Sequence, residues 1–436
     1  IHTSPAVSPA RAPRHLQDYF GEKVALFYVF LCHYTTWCAY LAIAGFAMAL
    51  DVIIEWSVDT LPVEFFAIFV AVWAVLLMEY WKQKEATMAM KWGMSDFESE
   101  EADRPEYKGE IIKSPVDGSD MTFYPEAKRA CSQMIAMCVT AFMILLVMAF
   151  IGVVFWLKSL PGLWPDYASL INSVGIQVFN AVYNVMAVTL TNNENYRTDT
   201  QYEDSLIFKL FGFQFVNSFA SLYYIAFIQY YIFNMPCETG SCIGDLCENV
   251  GIIFVTNLVV QNMTSIYLPK VMAAYNKYKE GGSDALMSVP ELQYLMMPYD
   301  PQLDTIDAYM TLARQFGYMV LFVVAFPAAP LLAYISNYFQ LRMDAFKFLN
   351  TYQRILPGGA QDIGTWQTVF TAIAGAAVIT NAALCVFVMS TFDSLAMGNL
   401  TYFKAWMFII FRYCPFGLMV IFSSVAPDVP YDVGIQ

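Results

Sequence analysis

The sequence predicts an all-α integral membrane protein with ten transmembrane helices and one small cytoplasmic β-hairpin. Of its 436 residues, 58% are hydrophobic, 17% are aromatic and only 14% are charged, whereas soluble domains carry about 25% charged residues. The mean hydropathy is +0.48, and a positive value over this length indicates many spans rather than one. The net charge of −14 and the lack of a long basic tract argue against a nucleic-acid partner.

Ten apolar runs approach the roughly 20 residues that a helix needs to cross a bilayer. Spans seven and eight form a hairpin, because the prolines of FPAAP at 326–330 end one helix and start the next. A DG pair at 117–118 between alternating residues predicts the β-hairpin. The predicted spans are residues 25–50, 63–81, 131–157, 163–190, 206–233, 247–268, the two arms of 306–349, 364–390 and 402–425.

Basic residues predict the orientation of this transmembrane domain, residues 24–425. With an N-terminal segment 1–23 in the cytoplasm, the segments on the same side hold 18 of the 23 lysines and arginines. The opposite loops 51–62, 234–246 and 391–401 hold none, and only Lys158 and Lys404 border the opposite side, which is the positive-inside pattern. Both termini are therefore expected in the cytoplasm, beside a plasma membrane or an endomembrane. Because Ile1 is not a methionine, we also expect residues before it. The other cytoplasmic segments are 82–130, 191–205, 270–305, 342–354 and the tail 426–436.

Two features fit the predicted outer side. Cys237, Cys242 and Cys247 cluster in one outer loop, where a disulfide can persist. Asn399 begins an Asn-Leu-Thr glycosylation sequon in another outer loop. The cysteines and histidines form no metal-binding pattern.

Polar side chains recur at helical spacing in spans four, five and six. Uncharged amides and hydroxyls suit anions or lipid headgroups, although Ser and Asn also hydrogen-bond between packed membrane helices. Both interpretations stay open, and three successive stripes favour a polar groove. The candidate groove residues are Asn172, Ser173, Gln177, Asn180, Asn184, Gln214, Asn217, Ser218, Ser221, Asn257 and Gln261.

Two ionisable residues, Arg314 and Asp344, lie within the hairpin of spans seven and eight. A charge at the centre of a membrane helix costs about 2.5–3.5 kcal/mol on insertion scales, so such residues are functional candidates. The alternative is a helix end whose side chain snorkels to the interface.

Short motifs in order along nearly the whole chain resemble the anoctamin family. They include DYFGEK at 18–23, RTDTQYEDSL at 197–206, FQFVN at 213–217, SLYYIAF at 221–227, IYLPK at 266–270, QFG at 315–317, LRMDA at 341–345, DIGTW at 362–366 and APDVP at 426–430. The resemblance implies an anoctamin-like ten-span arrangement and a homodimer joined through span ten. It also implies calcium-activated chloride channel or phospholipid scramblase activity, and some members are membrane tethers. Many members carry a cytoplasmic domain before the first span, which these 436 residues do not include.

The family's calcium site is where the sequence departs from the resemblance. Five of its six carboxylate or amide positions carry other side chains here, and only Asp344 remains acidic. Calcium needs six to eight oxygens, several of them anionic, so we expect weak calcium binding at most and no certain cofactor. We hypothesise that Arg314 replaces the ion by pairing with Asp344. The matching positions are Gln261, Ser265, Ala308, Thr311, Gln340 and Asp344.

These observations predict a passive transporter of phospholipids, anions such as chloride, or both, and not an enzyme. Membrane lipids are the expected partners, and the usual calcium gating is expected to be lost. The first alternative is a non-conducting scaffold or tether that keeps the fold. The second is an ion-coupled transporter, which needs inverted repeats and an acidic midplane site that the sequence lacks.

Overall fold

The computed structural model describes residues 12–114, 118–158, 160, 164–230, 232–233, 237, 242–280, 288–389 and 399–425. The predicted tails before 12 and after 425 lie outside the described residues. The helices are α1 (Ala12–Phe20), α2 (Glu22–Glu55), α3 (Leu61–Trp92), α4 (Glu126–Lys158), α5 (Trp164–Asn193), α6 (Asp199–Tyr223), α7 (Cys242–Glu280), α8 (Val289–Tyr294), α9 (Leu303–Leu321), α10 (Ala329–Asn350), α11 (Thr365–Ala383) and α12 (Leu400–Val425). A 3-10 turn spans Phe97–Glu100, and π-helical turns follow α6 (Tyr224–Ile228) and α11 (Leu384–Val388).

Among the described residues, seven helices are long and apolar enough to cross a membrane, namely α2 to α7 and α11 extended by its π-helical turn. These seven confirm a multi-span all-α protein. The other predicted spans coincide with α9, α10 and α12, and their crossing stays a prediction. In α9 three charged residues, Asp304, Asp307 and Arg314, interrupt the apolar run.

The chain divides into two compact units. The first unit contains Ile1–Ser95, Ile225–Ile363 and Gln367–Gln436, and the second contains Asp96–Tyr224 and Gly364–Trp366.

Helix α9 lies at the centre of the first unit. From Tyr309 to Ala325 every side chain is buried except Arg314, which is half-buried. A helix that is apolar on all faces must be enclosed by other helices. Aromatic rings do so here, since Phe316 lies 5.3 Å from Phe370 of α11, and Phe370 lies 5.2 Å from Phe30 of α2.

A close backbone approach joins α1 and α2 to the segment after α10. Gly21 between the two helices has φ +82°, and a Cβ there would lie 2.8 Å from the Gly358 nitrogen. The Lys23 amide donates to the Gly358 carbonyl at 3.0 Å. Only glycine tolerates both the positive φ and this approach.

The second unit packs α4, α5 and α6 against one another and carries the predicted β-hairpin. Strands β1 (Glu110–Lys113) and β2 (Asp120–Phe123) are antiparallel, with Glu110 opposite Phe123. The hairpin is therefore confirmed. Asp117 lies outside the described residues, whereas Gly118 has φ +72°, a backbone conformation that glycine adopts without strain.

The acidic segment 96–103, which precedes the β-hairpin, contacts the start of α6. Arg104 Nε lies 2.8 Å from Asp199 Oδ1, and Arg197 Nε lies 2.6 Å from Asp103 Oδ1. The Glu101 carboxylate accepts a hydrogen bond from the Thr200 amide at 3.1 Å. An anion at a helix N-terminus also complements the helix dipole, so this acidic run stabilises the entry into α6.

Candidate functional site

A ladder of polar side chains joins α5 to α6 within the second unit. Asn172 Nδ2 donates to Ser221 Oγ at 2.9 Å, and at a second rung Asn217 Nδ2 donates to Asn180 Oδ1 at 2.8 Å. At the third rung Gln214 Nε2 donates to Asn184 Oδ1 at 2.8 Å. The predicted stripes of spans four and five therefore face each other, because residues three and four apart share one helix face. We name these six residues the polar ladder.

The polar ladder is buried except at Asn184, which is half-buried, and it keeps unused hydrogen-bonding capacity. Gln214 is 1% exposed and Asn217 is 2% exposed. Asn180 Nδ2 and Gln214 Oε1 are buried atoms for which the described residues supply no hydrogen-bond partner. Leaving a buried donor or acceptor unsatisfied costs about 1–3 kcal/mol. The ladder thus holds groups able to accept a further polar ligand.

The remaining candidate groove residues differ in exposure. Ser173 is buried and donates to the Ser169 carbonyl of its own helix at 3.0 Å, while Gln177 is half-buried. Ser218 is buried on α6. In the first unit, Asn257 and Gln261 are half-buried on α7.

The six positions that match the family's calcium site lie on α7, α9 and α10, which pack against one another in the first unit. The only carboxylate among them, Asp344 of α10, is 7% exposed. Its Oδ1 lies 2.6 Å from Lys347 Nζ of the same helix. Ala308 offers no side-chain ligand, and the Ser265 side chain lies outside the described residues.

Arg314 does not pair with Asp344, so the hypothesis that it replaces the ion is wrong. Arg314 Nη2 instead donates to Thr311 Oγ1 at 3.2 Å, within α9. The physical reason is local competition: Lys347 is one turn from Asp344 and needs no second helix to reach it. Arg314 Nε is a buried atom without a hydrogen-bond partner among the described residues.

These residues do not fit a calcium ion. Calcium prefers several carboxylate oxygens among six to eight ligands, whereas this set offers one carboxylate already held by an ammonium group. The Thr311 hydroxyl also accepts a hydrogen bond from the positively charged Arg314 guanidinium. Within the part of the chain that the structure describes, no group of three or more His, Cys, Asp or Glu side chains could hold a metal.

A buried charge network that sequence reasoning missed lies at the corner between α5 and α6. Lys209 Nζ is 2.8 Å from Glu194 Oε2, and the glutamate is fully buried. The ammonium also donates to Ser205 Oγ at 2.6 Å and to Thr191 Oγ1 at 3.2 Å. The signal in the sequence was a lysine inside an apolar helix, one turn after a serine. Its partner comes from the preceding helix end, which spacing alone does not reveal.

The predicted outer features are placed as follows. Cys237 and Cys242 form a disulfide with their Cα atoms 5.2 Å apart, and Cys247 carries a free thiol. Asn399 is exposed immediately before α12, and its Oδ1 accepts a hydrogen bond from the Thr401 amide at 3.0 Å.

Comparison with known proteins matches residues 16–436 to the family model "Anoctamin: Calcium-activated chloride channel". Anoctamin-7 of Mus musculus is 30% identical over 86% of this chain and 52% of its own length. Anoctamin-3 of Homo sapiens is 32% identical over 73% of this chain and 36% of its own, and Anoctamin-4 of Bos taurus is 31% identical over 73% and 39%. The chain thus spans about half the length of Anoctamin-7 and less of the other two.

Proposed function

Because this chain belongs to the anoctamin family, we propose that it is a passive membrane transport protein that moves phospholipids, anions such as chloride, or both. The path is the polar groove predicted along spans four to six. The observation that carries the proposal is the polar ladder of α5 and α6, in which the Asn180 amide nitrogen and the Gln214 carbonyl oxygen have no hydrogen-bond partner among the described residues. No covalent chemistry is needed.

The chemistry of the ladder suits this cargo. Amide groups offer donors to a phosphate or chloride and acceptors to an ammonium headgroup, without a net charge that would trap an ion. Interhelical hydrogen bonds in membranes contribute on average about 0.6 kcal/mol each, so exchanging the three rungs for cargo costs about 2 kcal/mol. That cost is small enough for a ladder that closes and reopens.

Transport is proposed to proceed without the family's usual calcium gating. The donor set of Asp344 and its neighbours does not suit calcium, and Lys347 supplies a permanent positive charge beside the carboxylate. Because Lys347 belongs to the chain itself, the charge beside Asp344 stays the same at all calcium concentrations. A homodimer through span ten is retained as part of the proposal on the family resemblance.

The second candidate is a non-conducting scaffold or tether. Its support is that three cross-helix hydrogen bonds close the ladder. In this alternative the stripes only hold α5 against α6, which is a common role for polar residues in membranes.

Reconstitution into liposomes separates these functions. Lipid scrambling and halide flux are measured with calcium and with a chelator, beside empty liposomes. We expect flux above the empty control at the same rate in both conditions. Stimulation by calcium contradicts calcium-independent gating, and an absence of both fluxes favours the scaffold.

A substitution in the ladder tests the path itself. Gln214→Leu removes one rung and the carbonyl for which the described residues supply no partner. We expect flux to fall about threefold, the equivalent of one such hydrogen bond. The matched control is Thr189→Val on an exposed position of α5, where the hydroxyl bonds only to its own helix. Equal flux in Gln214→Leu and Thr189→Val would exclude the ladder as the path.

A further inference from the structure

In the first unit, α7 packs against α9 with the two chains running in opposite directions. The ring centroids of Phe254 in α7 and Tyr318 in α9 are 5.8 Å apart. Gly251 lies almost one turn earlier in α7 and faces Phe326, which follows α9, because a Cβ on this glycine would lie 3.5 Å from that ring. A lower residue number in α7 therefore meets a higher one after α9, as in an antiparallel pair.

This antiparallel packing brings polar side chains of both helices to one level. Gln261 lies seven residues after Phe254, and Thr311 lies seven residues before Tyr318. Seven residues make about two helical turns, so each polar side chain shares a face with its ring. Arg314 lies three residues after Thr311, and its Nη2 donates to Thr311 Oγ1 at 3.2 Å. We name the following residues the arginine cluster: Gln261 of α7, with Thr311, Arg314 and Gln315 of α9.

The arginine cluster is enclosed but contains no counter-charge. Thr311 is 8% exposed and Gln315 is 6% exposed, whereas Arg314 is half-buried. Among the described residues Arg314 forms no ion pair, and the carboxylate of Asp344 is already held by Lys347 at 2.6 Å. Arg314 Nε and Gln315 Oε1 are buried atoms to which the described residues offer no hydrogen bond. The cluster thus carries a net positive charge and spare hydrogen-bonding groups.

The depth of Arg314 makes that charge costly. At 1.5 Å of rise per residue, it lies about 16 Å from the first residue of α9, Leu303, and about 10 Å from the last, Leu321. The sequence predicts that α9 crosses the membrane, and a charge at such a depth needs a counter-charge or water. Because the described part of the chain supplies no carboxylate, the counter-charge has to come from a ligand.

The chemistry of the arginine cluster selects the ligand. One guanidinium balances one negative charge, and it repels a cation such as calcium. Hydroxyl and amide groups without net charge donate hydrogen bonds to an anion. The contact between the rings of Phe254 and Tyr318 keeps α7 and α9 close together, which favours a monatomic ion over a bulky headgroup. The buried Gln315 carbonyl suits a water molecule that accompanies the ion.

We propose that the arginine cluster binds one small monovalent anion, with chloride as the type case. Arg314 compensates its charge, and Gln261 and Thr311 contribute uncharged polar groups. These last two match positions of the family's calcium site, so the ligand proposed here has the opposite charge. The site is separate from the polar ladder and does not require transport activity. The competing explanation is that water alone compensates Arg314 and that no ion binds.

The test measures thermal unfolding of the purified full chain in detergent. Chloride replaces gluconate at constant ionic strength, so that only the identity of the anion changes. We expect the melting temperature to rise by about 1–2 °C for each tenfold increase in chloride above its dissociation constant. Chlorine nuclear magnetic resonance should show line broadening by the protein, which reports binding directly. A larger rise with inorganic phosphate than with chloride would contradict a site for a monatomic ion.

Matched variants locate the site. Arg314→Gln should remove both the chloride dependence of the melting temperature and the line broadening. Arg314→Lys should retain both, which keeps the test decisive even if Arg314→Gln folds poorly. Gln261→Leu should weaken chloride binding about threefold, the equivalent of one hydrogen bond in a membrane. The control is Arg412→Gln, because Arg412 also lies in a predicted span but is exposed on α12.

Three results would overturn the proposal. The first is a melting temperature of the unaltered protein that does not respond to chloride. The second is an undiminished response in Arg314→Gln. The third is an equal loss in Arg412→Gln, which would assign the response to general electrostatics rather than to the arginine cluster. None of these results bears on scrambling or halide flux, so the proposed transport function is judged independently.

Discussion

At the scale of single residues, Asp344 is held by its own helix. Lys347 lies three residues further along α10, and both side chains are largely shielded from solvent. Because Lys347 already compensates the charge of the Asp344 carboxylate, neither a cation from α9 nor a metal ion is needed there. Arg314 is correspondingly anchored on Thr311 and contributes to α9 rather than to a link between helices.

A double-mutant cycle checks this assignment. Asp344→Asn with Lys347→Met should give a coupling energy of about 1–2 kcal/mol, because the ion pair is close and shielded. Asp344→Asn with Arg314→Gln should be additive within about 0.5 kcal/mol. Denaturant unfolding in detergent measures both cycles. A larger coupling to Arg314 than to Lys347 would restore the cross-helix pair.

The Glu194–Lys209 pair gives a second prediction at this scale. Lys209→Met leaves a fully buried carboxylate without its cation, which costs about 3–5 kcal/mol. Adding Glu194→Gln should recover part of that loss, since both charges are then absent. The control is Lys113→Met, whose ion pair with Asp120 is exposed on the β-hairpin and should cost less than about 1 kcal/mol. Comparable losses at the two lysines would contradict a buried network.

Sequence patterns predicted which residues share a helix face better than they predicted which residues contact each other. Helical spacing correctly put Asn180 and Asn184 on one face, and the facing stripe of Gln214 and Asn217 lay in the next span. The pairing of these amides depends on the angle and position at which α5 and α6 cross, and the periodicity of one helix does not contain that information. The Arg314–Asp344 hypothesis failed for the same reason, because a partner three residues away was overlooked in favour of a distant one.

At the scale of elements, the apolar runs predicted most helices, and the DG turn predicted the β-hairpin. The full burial of α9 was not predictable from its own residues, since the pattern within one helix does not show which other helices enclose it. Its enclosure follows from the rings of α2 and α11, which are distant in sequence.

The disulfide at the start of α7 provides the prediction for this scale. Replacing Cys237 and Cys242 together by serine reopens a short loop and should lower the free energy of unfolding by about 2 kcal/mol. Cys247→Ser, which removes a free thiol in the same helix, should change it by less than about 0.5 kcal/mol. Alkylation of the denatured chain without reductant should label Cys247 and spare the other two. Labelling of Cys237 under those conditions would contradict the pairing.

At the scale of the whole molecule, the ten predicted crossings determine the side of the membrane on which each loop lies. Ten crossings put the loop between α2 and α3 on the outside and the β-hairpin on the inside. An epitope inserted after Asp59 should then be accessible to antibody on intact cells. One inserted after Gly118, at the exposed hairpin turn, should become accessible only after permeabilisation. Equal access to both would refute the alternating topology.

The contact between Gly21 and Gly358 has a mechanical consequence. The Lys23 amide is bonded to the Gly358 carbonyl, and the segment that contains Gly358 follows α10, which ends at Asn350. A displacement of α1 is therefore transmitted through main-chain atoms to the C-terminal end of α10.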